Sequence, residues 1–313
     1  MIHLKLQKVG EKAVIKLAEK ICEKGKPVVV GVGDDAAVLN VGKIKMVATT
    51  DMLVAKTHFP PGTTPRQMGI KSVAVNFSDL AAMGARPFAI MFSVALPRNL
   101  DLSFVRELLS SMNRTARKYG SYLVGGDVDE SDQIVVGGVA LGISENRILM
   151  RSGARVGDLV GITGEVGKAS AGLEVLKTPR LKKRFSKLIK AQLEPQARVK
   201  EGILLGKNRF VTSAIDLSDG LVRNLWQISE KSKVKLILER VPVDRDVIKL
   251  AKIIGRSPEE FALYGGEDYE LAFTFQQSGL NSLRREFKKI GSRFWVIGRV
   301  EKGRGVFLKK PRG

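Results

Sequence analysis

Apolar residues recur along this chain with two spacings, near 3.6 and near 2, and each change of spacing marks a predicted element. Val14 to Ile21 has helical spacing, and Val28-Val29-Val30 reads as a short buried strand. Ile44 to Thr50 is a second strand, ending at Asp51. Thr64-Pro65 supplies an N-cap and a proline at the first helical position. The helix beyond it sets Val73, Phe77 and Leu80 on one face and Asn76, Asp79 and Met83 on a neighbouring stripe, so Asp79 can point into a cleft. Gly84 ends that helix as a C-cap. Phe88 to Leu96 is a strand, and Asp101 caps a helix bearing Val105, Leu108, Leu109, Met112 and Ala116. Tyr122-Leu123-Val124 leads into Gly125-Gly126-Asp127, and Ile134 to Ile143 is another strand.

The pattern predicts a mixed α/β layer over residues 1–145 and a second α/β layer over 146–313. The second opens with the turn-rich Arg151 to Asp158, then the strand Leu159 to Thr163 and a helix from Lys168. Strands at Ala214-Ile215, Val234 to Leu238, Leu271 to Phe275 and Phe294 to Val300 alternate with helices. No Ser/Pro-rich linker divides the halves, so two packed domains are expected.

Charge narrows the choice of partners. Lys and Arg number 53 against 32 Asp and Glu, a formal charge of +21. Such an excess suits nucleic acid, phosphorylated small molecules or a general surface bias. The run Lys177 to Lys190 holds seven basic residues with Leu181, Phe185, Leu188 and Ile189 among them. It reads as an amphipathic helix with a charged outer face, in preference to a dedicated RNA surface. Cys22 is the only cysteine, which excludes an internal disulfide and cysteine zinc sites, and its apolar neighbours predict a core position. Met1 to Gly10 lacks the pattern of a signal peptide, and no apolar run is long enough to span a bilayer. A cytoplasmic protein without membrane contact is expected.

Against this basic background stand five acidic clusters, most with small neighbours: Gly33-Asp34-Asp35-Ala36-Ala37, Thr49-Thr50-Asp51, Asn76-Phe77-Ser78-Asp79, Gly125-Gly126-Asp127 and Asp216-Leu217-Ser218-Asp219-Gly220. Small residues admit a ligand to the backbone, and gathered carboxylates repel one another unless a cation joins them. Magnesium carrying a phosphate ester fits this chemistry. Neither a Walker-type phosphate loop nor a protein-kinase glycine loop is present, so carboxylates bridged by metal are left to hold a nucleotide. Singly, each aspartate also reads as a turn former or cap; Ser218 or Asp219 could cap the helix of Leu221, Leu225 and Ile228. Gly265-Gly266-Glu267-Asp268-Tyr269-Glu270 reads equally as a site for a cationic ring or as a polar turn. The two histidines, His3 and His58, build no nucleophilic triad with Cys22, and His58 reads as an exposed loop residue.

Together these stretches resemble the thiamine-monophosphate kinases, of the ATP-dependent superfamily typified by aminoimidazole ribonucleotide synthetase. The similarity runs from Gly31 to about Val300 and rests on Gly31 to Val38, Thr49 to Val54 with His58-Phe59, and Lys71 to Ala85. It continues in Val124 to Asp127, Arg151 to Ala154, Ser213 to Leu221 and Gly265 to Leu271. The Asn76 to Gly84 and Gly265 to Leu271 stretches point to the thiamine branch in particular.

The resemblance implies magnesium ligands at Asp35, Thr49, Thr50, Asp51, Asp79, Asp127, Asp216 and Asp219, with Asp127, Asp216 and Asp219 closest to the chemistry. It implies ATP contacts at Gly126, Asp127, Arg151 and Ser218, and thiamine monophosphate contacts at His58 and Glu267. It also implies a homodimer whose N-terminal sheets join in a barrel, and no need of nucleic acid. Two departures stand out. Lys309 to Gly313 replaces the family's aromatic terminal segment, leaving Phe294 and Phe307 as substitutes, and the family's Arg-Pro-x-Pro-Arg turn survives only as Glu194 to Arg198. The competing readings are another synthetase of the superfamily and a basic nucleic-acid-binding protein without catalysis; the latter predicts stacking aromatics on a basic face, whereas aromatics make up 6% and follow core spacing.

Overall fold

The computed structural model of the protein describes residues 6–22 and 25–309, so His3 and residues 310–313 lie outside the described residues. The chain begins with helix α1 (Leu6–Ile21), strands β1 (Val28–Val30), β2 (Ala37–Val41) and β3 (Ile44–Val54), and the single turn α2 (Ala55–His58). Helix α3 (Pro65–Ala82) leads to β4 (Arg86–Leu96), helix α4 (Leu102–Lys118) and strands β5 (Tyr122–Glu130) and β6 (Val135–Ser144). Strand β7 (Leu159–Ile162) precedes helices α5 (Lys168–Leu176), α6 (Ser186–Leu193) and α7 (Val199–Lys207). Then come β8 (Val211–Asp216), α8 (Leu221–Ser232), β9 (Val234–Leu238), α9 (Arg245–Ile254) and α10 (Pro258–Tyr264). Strand β10 (Leu271–Phe275), helix α11 (Leu280–Lys289), and strands β11 (Trp295–Lys302) and β12 (Gly305–Leu308) complete the fold.

Two six-stranded mixed sheets result, in the orders β1-β2-β3-β6-β4-β5 and β12-β9-β11-β7-β10-β8. Among the described residues each has a single parallel pair, β4–β5 in the first and β9–β12 in the second. Helix α3 lies between them. Its N-terminus is fixed as the sequence predicts: Thr64 and Gln67 form a reciprocal capping box with Pro65 at N1, worth about 1 kcal/mol. Almost every residue beyond Gln67 is buried, including the polar Lys71, Ser72, Asn76 and Ser78. Helix α7 approaches so closely that a Cβ on Gly202 would lie 2.2 Å from the Ala81 carbonyl oxygen. One core therefore runs from Val73 and Phe77 on α3 through Leu205 to Ala214, Leu271 and Phe273 of the second sheet.

The opposite face of the first sheet is open. Met52, Phe88, Met91, Val124 and Val139 are exposed on it, and register places Thr50, Val139 and Met91 in one row across β3, β6 and β4.

Several expectations are corrected. Lys177 to Lys190 is not one helix: α5 ends at Leu176, a 3₁₀ turn spans Pro179–Leu181, and α6 begins at Ser186. Pro179, at N1 of the 3₁₀ turn, separates that turn from α5, and Leu181, Phe185 and Leu188 are buried as their spacing requires. Cys22 is exposed rather than in the core, because it follows the last turn of α1, whose Ile15, Leu17 and Ile21 are themselves exposed. Strand β1 is half-exposed at a sheet edge rather than buried. Asp101 stands at the N-cap of α4 without a side-chain bond. Strand β3 continues past Asp51, and β5 runs through Gly125-Gly126-Asp127.

Candidate active site

Four elements deliver the central carboxylates. Asp35 comes from the turn before β2, Asp79 from the last turn of α3, and Asp216 from the end of β8, while Thr49 and Asp51 project from alternate positions of β3. One oxygen of each of Asp35, Asp79 and Asp216 lies within 4.8 Å of the others. The Thr49 hydroxyl donates to Asp79 Oδ2 at 2.6 Å, Ser78 donates to Asp216 Oδ2 at 2.7 Å, and Ser218 donates to Asp216 Oδ1 at 3.1 Å. The backbone N–H of Asp51 donates to Asn76 Oδ1 at 3.3 Å.

This cluster is short of positive charge. Arg151 reaches Asp35 Oδ1 at 2.8 Å, and its backbone N–H donates to Asp34 at 3.1 Å. Its Nη1 donates to Gln227 at 2.5 Å. No comparable cation bonds Asp79 or Asp216 among the described residues. Burial and the neighbouring Asp35 push the Asp216 carboxyl up to about 7, against the two serine hydroxyls that favour its ionised form. Burial and the charges of Asp51, Asp216 and Asp35 drive Asp79 well above the carboxylate range. Burial and Asp35 bring Asp34 to about 6, and burial also raises Asp35 and Asp51. Asp35 Oδ2 is buried without a hydrogen-bond partner. Oxygen-only donors, mutual repulsion and an orphaned carboxylate oxygen are what a hard divalent cation requires.

The remaining candidates are distributed differently. Thr50 is exposed on the open sheet face, because alternation along β3 turns it away from Thr49 and Asp51. Asp127 is exposed on the edge strand β5, opposite Ser93. Gly126 beside it tolerates no side chain, since a Cβ would meet the Phe92 carbonyl oxygen at 1.9 Å. Asp219 is turned outward to Arg223 at 3.3 Å. Neither Ser218 nor Asp219 caps α8, whose N-cap is Gly220. His58 is half-buried in α2, not in an exposed loop, and Val54 N–H donates to its Nδ1 at 3.0 Å. Phe294 is half-buried and packs against the core residues Phe273, Phe275 and Phe287, whereas Phe307 remains exposed.

The Gly265–Glu270 loop resolves into three paired carboxylates. Glu267 is bound by Lys71 at 2.7 Å and by Gln192 at 2.6 Å. Asp268 accepts the N–H groups of Gly167 and Ala169 at the start of α5, at 2.5 and 3.0 Å, although burial still pushes it up to about 6. Glu270 is held by Arg198 at 2.5 and 2.7 Å and by Thr163 at 2.7 Å. Sequence reasoning missed Lys71, Gln192 and Ser78. Only the seven-residue step from Lys71 to Ser78, which places both on the face of α3 toward the second sheet, could have signalled two of them.

Comparison with known proteins decides the family. The model for the N-terminal domain of AIR synthase related protein matches residues 33–144. Thiamine-monophosphate kinase of Pyrococcus horikoshii is 37% identical over 281 residues, covering 89% of this chain and 85% of that protein. The chain belongs to the thiamine-monophosphate kinase family. The Aquifex aeolicus thiamine-monophosphate kinase is 31% identical and is covered over 99% of both chains. The solved structure of AaThiL complexed with AMPPCP and TMP superposes with a TM-score of 0.88 at 31% identity, covering 100% of this chain and 98% of that one. The two-sheet architecture is thus the two-domain synthetase-like fold of this kinase family. No helix among the described residues is long and apolar enough to cross a membrane.

Proposed function

We propose that this protein transfers the γ-phosphoryl group of ATP to thiamine monophosphate, forming thiamine diphosphate and ADP. The convergence of Asp35, Asp79 and Asp216 beside Arg151 carries the reading. Those carboxylates, with Thr49, Asp51 and the outlying Thr50, Asp127 and Asp219, are proposed to hold magnesium. Bound magnesium neutralises charge on the nucleotide and acceptor phosphates. Arg151 and the N–H groups near Ser218 and Gly126 are proposed to orient the ATP phosphates; Asp35 fixes the Arg151 guanidinium for this task. His58 and Glu267 are proposed to face thiamine monophosphate.

The acceptor needs little activation. A phosphate monoester has a second pKa near 6, so its dianion predominates at pH 7 and can attack without a general base. An acceptor oxygen bonds to the γ-phosphorus as the bond to the bridging oxygen breaks, and ADP departs with that electron pair. Positioning and charge neutralisation then supply most of the acceleration, in an in-line transfer.

The open face of the first sheet supports a homodimer. Met52 is 64% exposed and Val124 58%, and a second copy would cover this apolar surface. The division near residue 145 would then separate a dimerising nucleotide half from a half completing the site. One experiment tests the reaction: incubation with thiamine monophosphate, ATP and magnesium, followed by chromatography. Thiamine diphosphate appearing in step with ADP supports it. ATP hydrolysis without that product, or no turnover, refutes it.

A further inference from the structure

Among the described residues Lys71 is the largest fully buried polar side chain, with 1% exposure in the middle of α3. A buried ammonium is tolerated only where its protons are met by acceptors. Here Nζ donates to the backbone carbonyl of His58 at 3.0 Å and pairs with Glu267 Oε1 at 2.7 Å. One side chain thus joins the α2 turn of the first layer to the acidic loop of the second. Gln192 from α6 binds the other oxygen, Glu267 Oε2, at 2.6 Å, so both carboxylate oxygens are engaged inside the protein.

The loop backbone is held to match. Glu267 adopts φ 67, a left-handed conformation that a side chain disfavours and the surroundings must enforce. Its N–H donates to the Ser218 carbonyl at 2.7 Å, and a Cβ on Gly266 would lie 2.5 Å from that same oxygen. The acidic loop is therefore stitched to the turn that follows Asp216. With its charge matched by Lys71 and its amide partner supplied by Gln192, Glu267 is a fixed wall of the site, not a free counter-charge.

We infer that Lys71 is a positioning residue for the acceptor substrate: it sets His58 and Glu267 in register, so that thiamine monophosphate meets a preformed surface. This rests on the proposed reading of His58 and Glu267 as the thiamine monophosphate side of the site. The nucleotide side, at Asp35 and Arg151, contains no Lys71 contact.

Calorimetry on the full chain separates the possibilities, with thiamine monophosphate and ATP titrated individually into wild type, Lys71→Met, His58→Ala and Glu267→Ala. The expected result for Lys71→Met is a Kd for thiamine monophosphate raised tenfold or more, with the ATP Kd within twofold of wild type. Adding Glu267→Gln to Lys71→Met should cause little further loss, since the two groups act as a unit. Should Lys71→Met fail to fold, Gln192→Ala removes the other tether, and a three- to fivefold rise in the same Kd alone is expected. Equal weakening of both ligands, or unchanged thiamine monophosphate binding while His58→Ala and Glu267→Ala weaken it, overturns the positioning role and leaves the substrate assignment standing. If neither His58→Ala nor Glu267→Ala alters thiamine monophosphate binding, the substrate assignment itself fails, and the inference falls with it.

Discussion

Two groups of buried and half-buried acids lie within this fold, and they are treated in opposite ways. The Glu267–Glu270 loop has a partner for each carboxylate: Lys71 and Gln192, the start of α5, and Arg198 with Thr163. Asp35, Asp79 and Asp216 share essentially one guanidinium, that of Arg151; burial raises all three, and neighbouring carboxylates raise Asp79 and Asp216 further. Paired acids fix a loop, and the protein supplies their partners permanently: cations at Glu267 and Glu270, backbone N–H groups at Asp268. Under-compensated acids leave an electrostatic deficit that a ligand must fill. The difference between the groups lies in their cations rather than their acids.

Breaking the paired group should give the largest effect. Arg198→Met leaves Glu270 buried against only Thr163 and the more distant Lys168 at 3.8 Å. The expected loss is about 3–5 kcal/mol, seen as a fall of the melting temperature by roughly 5–10 °C. Replacing both partners by methionine should recover most of it.

In the under-compensated group the outcome should reverse. Asp216→Asn keeps shape and hydrogen bonding while removing a charge from the proposed cation site. Turnover is expected to fall by roughly 10²-fold or more, with the melting temperature of the metal-free protein kept or raised. Normal turnover with a lowered melting point would make Asp216 a structural residue.

Ser78→Ala sharpens the contrast on a smaller scale. Its hydroxyl donates to Asp216 Oδ2 at 2.7 Å and favours the ionised carboxylate. Turnover should drop about tenfold, the worth of one hydrogen bond to a charged group, and Ser78→Thr should restore part of it. Steady-state rates at saturating substrates measure both.

Much of this arrangement was legible from sequence where local chemistry decides it. Thr64-Pro65 and Gly84 bound α3, and the stripe through Asn76 and Asp79 turns Asp79 toward Asp35 and Asp216. What was not legible depends on distant partners or on neighbouring strands. Strand β2 follows directly on the acidic turn, and its Ala37–Val41 is too short to stand out. Thr49 and Thr50 are adjacent in a motif, yet the two faces of β3 separate them. Nothing in the sequence around Lys71 signals its burial, which depends on Glu267, 196 residues later, folding over it. The paired state of the acidic loop could not be read because Arg198, Gln192 and Lys71 have no sequence relation to it.

The measurement that tests the cation site most directly is the melting temperature of wild type and Asp79→Asn at pH 5 and pH 8, with and without magnesium. These carboxyls sit higher in the folded state than the ordinary value near 3.8. The folded protein therefore binds more protons than the unfolded chain across that interval, and stability contributed by the cluster falls as pH rises from about 4 through about 7. Without magnesium, the melting temperature of Asp79→Asn should gain on wild type as pH rises, with a larger advantage at pH 8 than at pH 5. Magnesium should raise wild type more than the variant, and more at pH 8 than at pH 5. A difference between the two proteins that is flat with pH, together with equal magnesium shifts in both, would contradict the account.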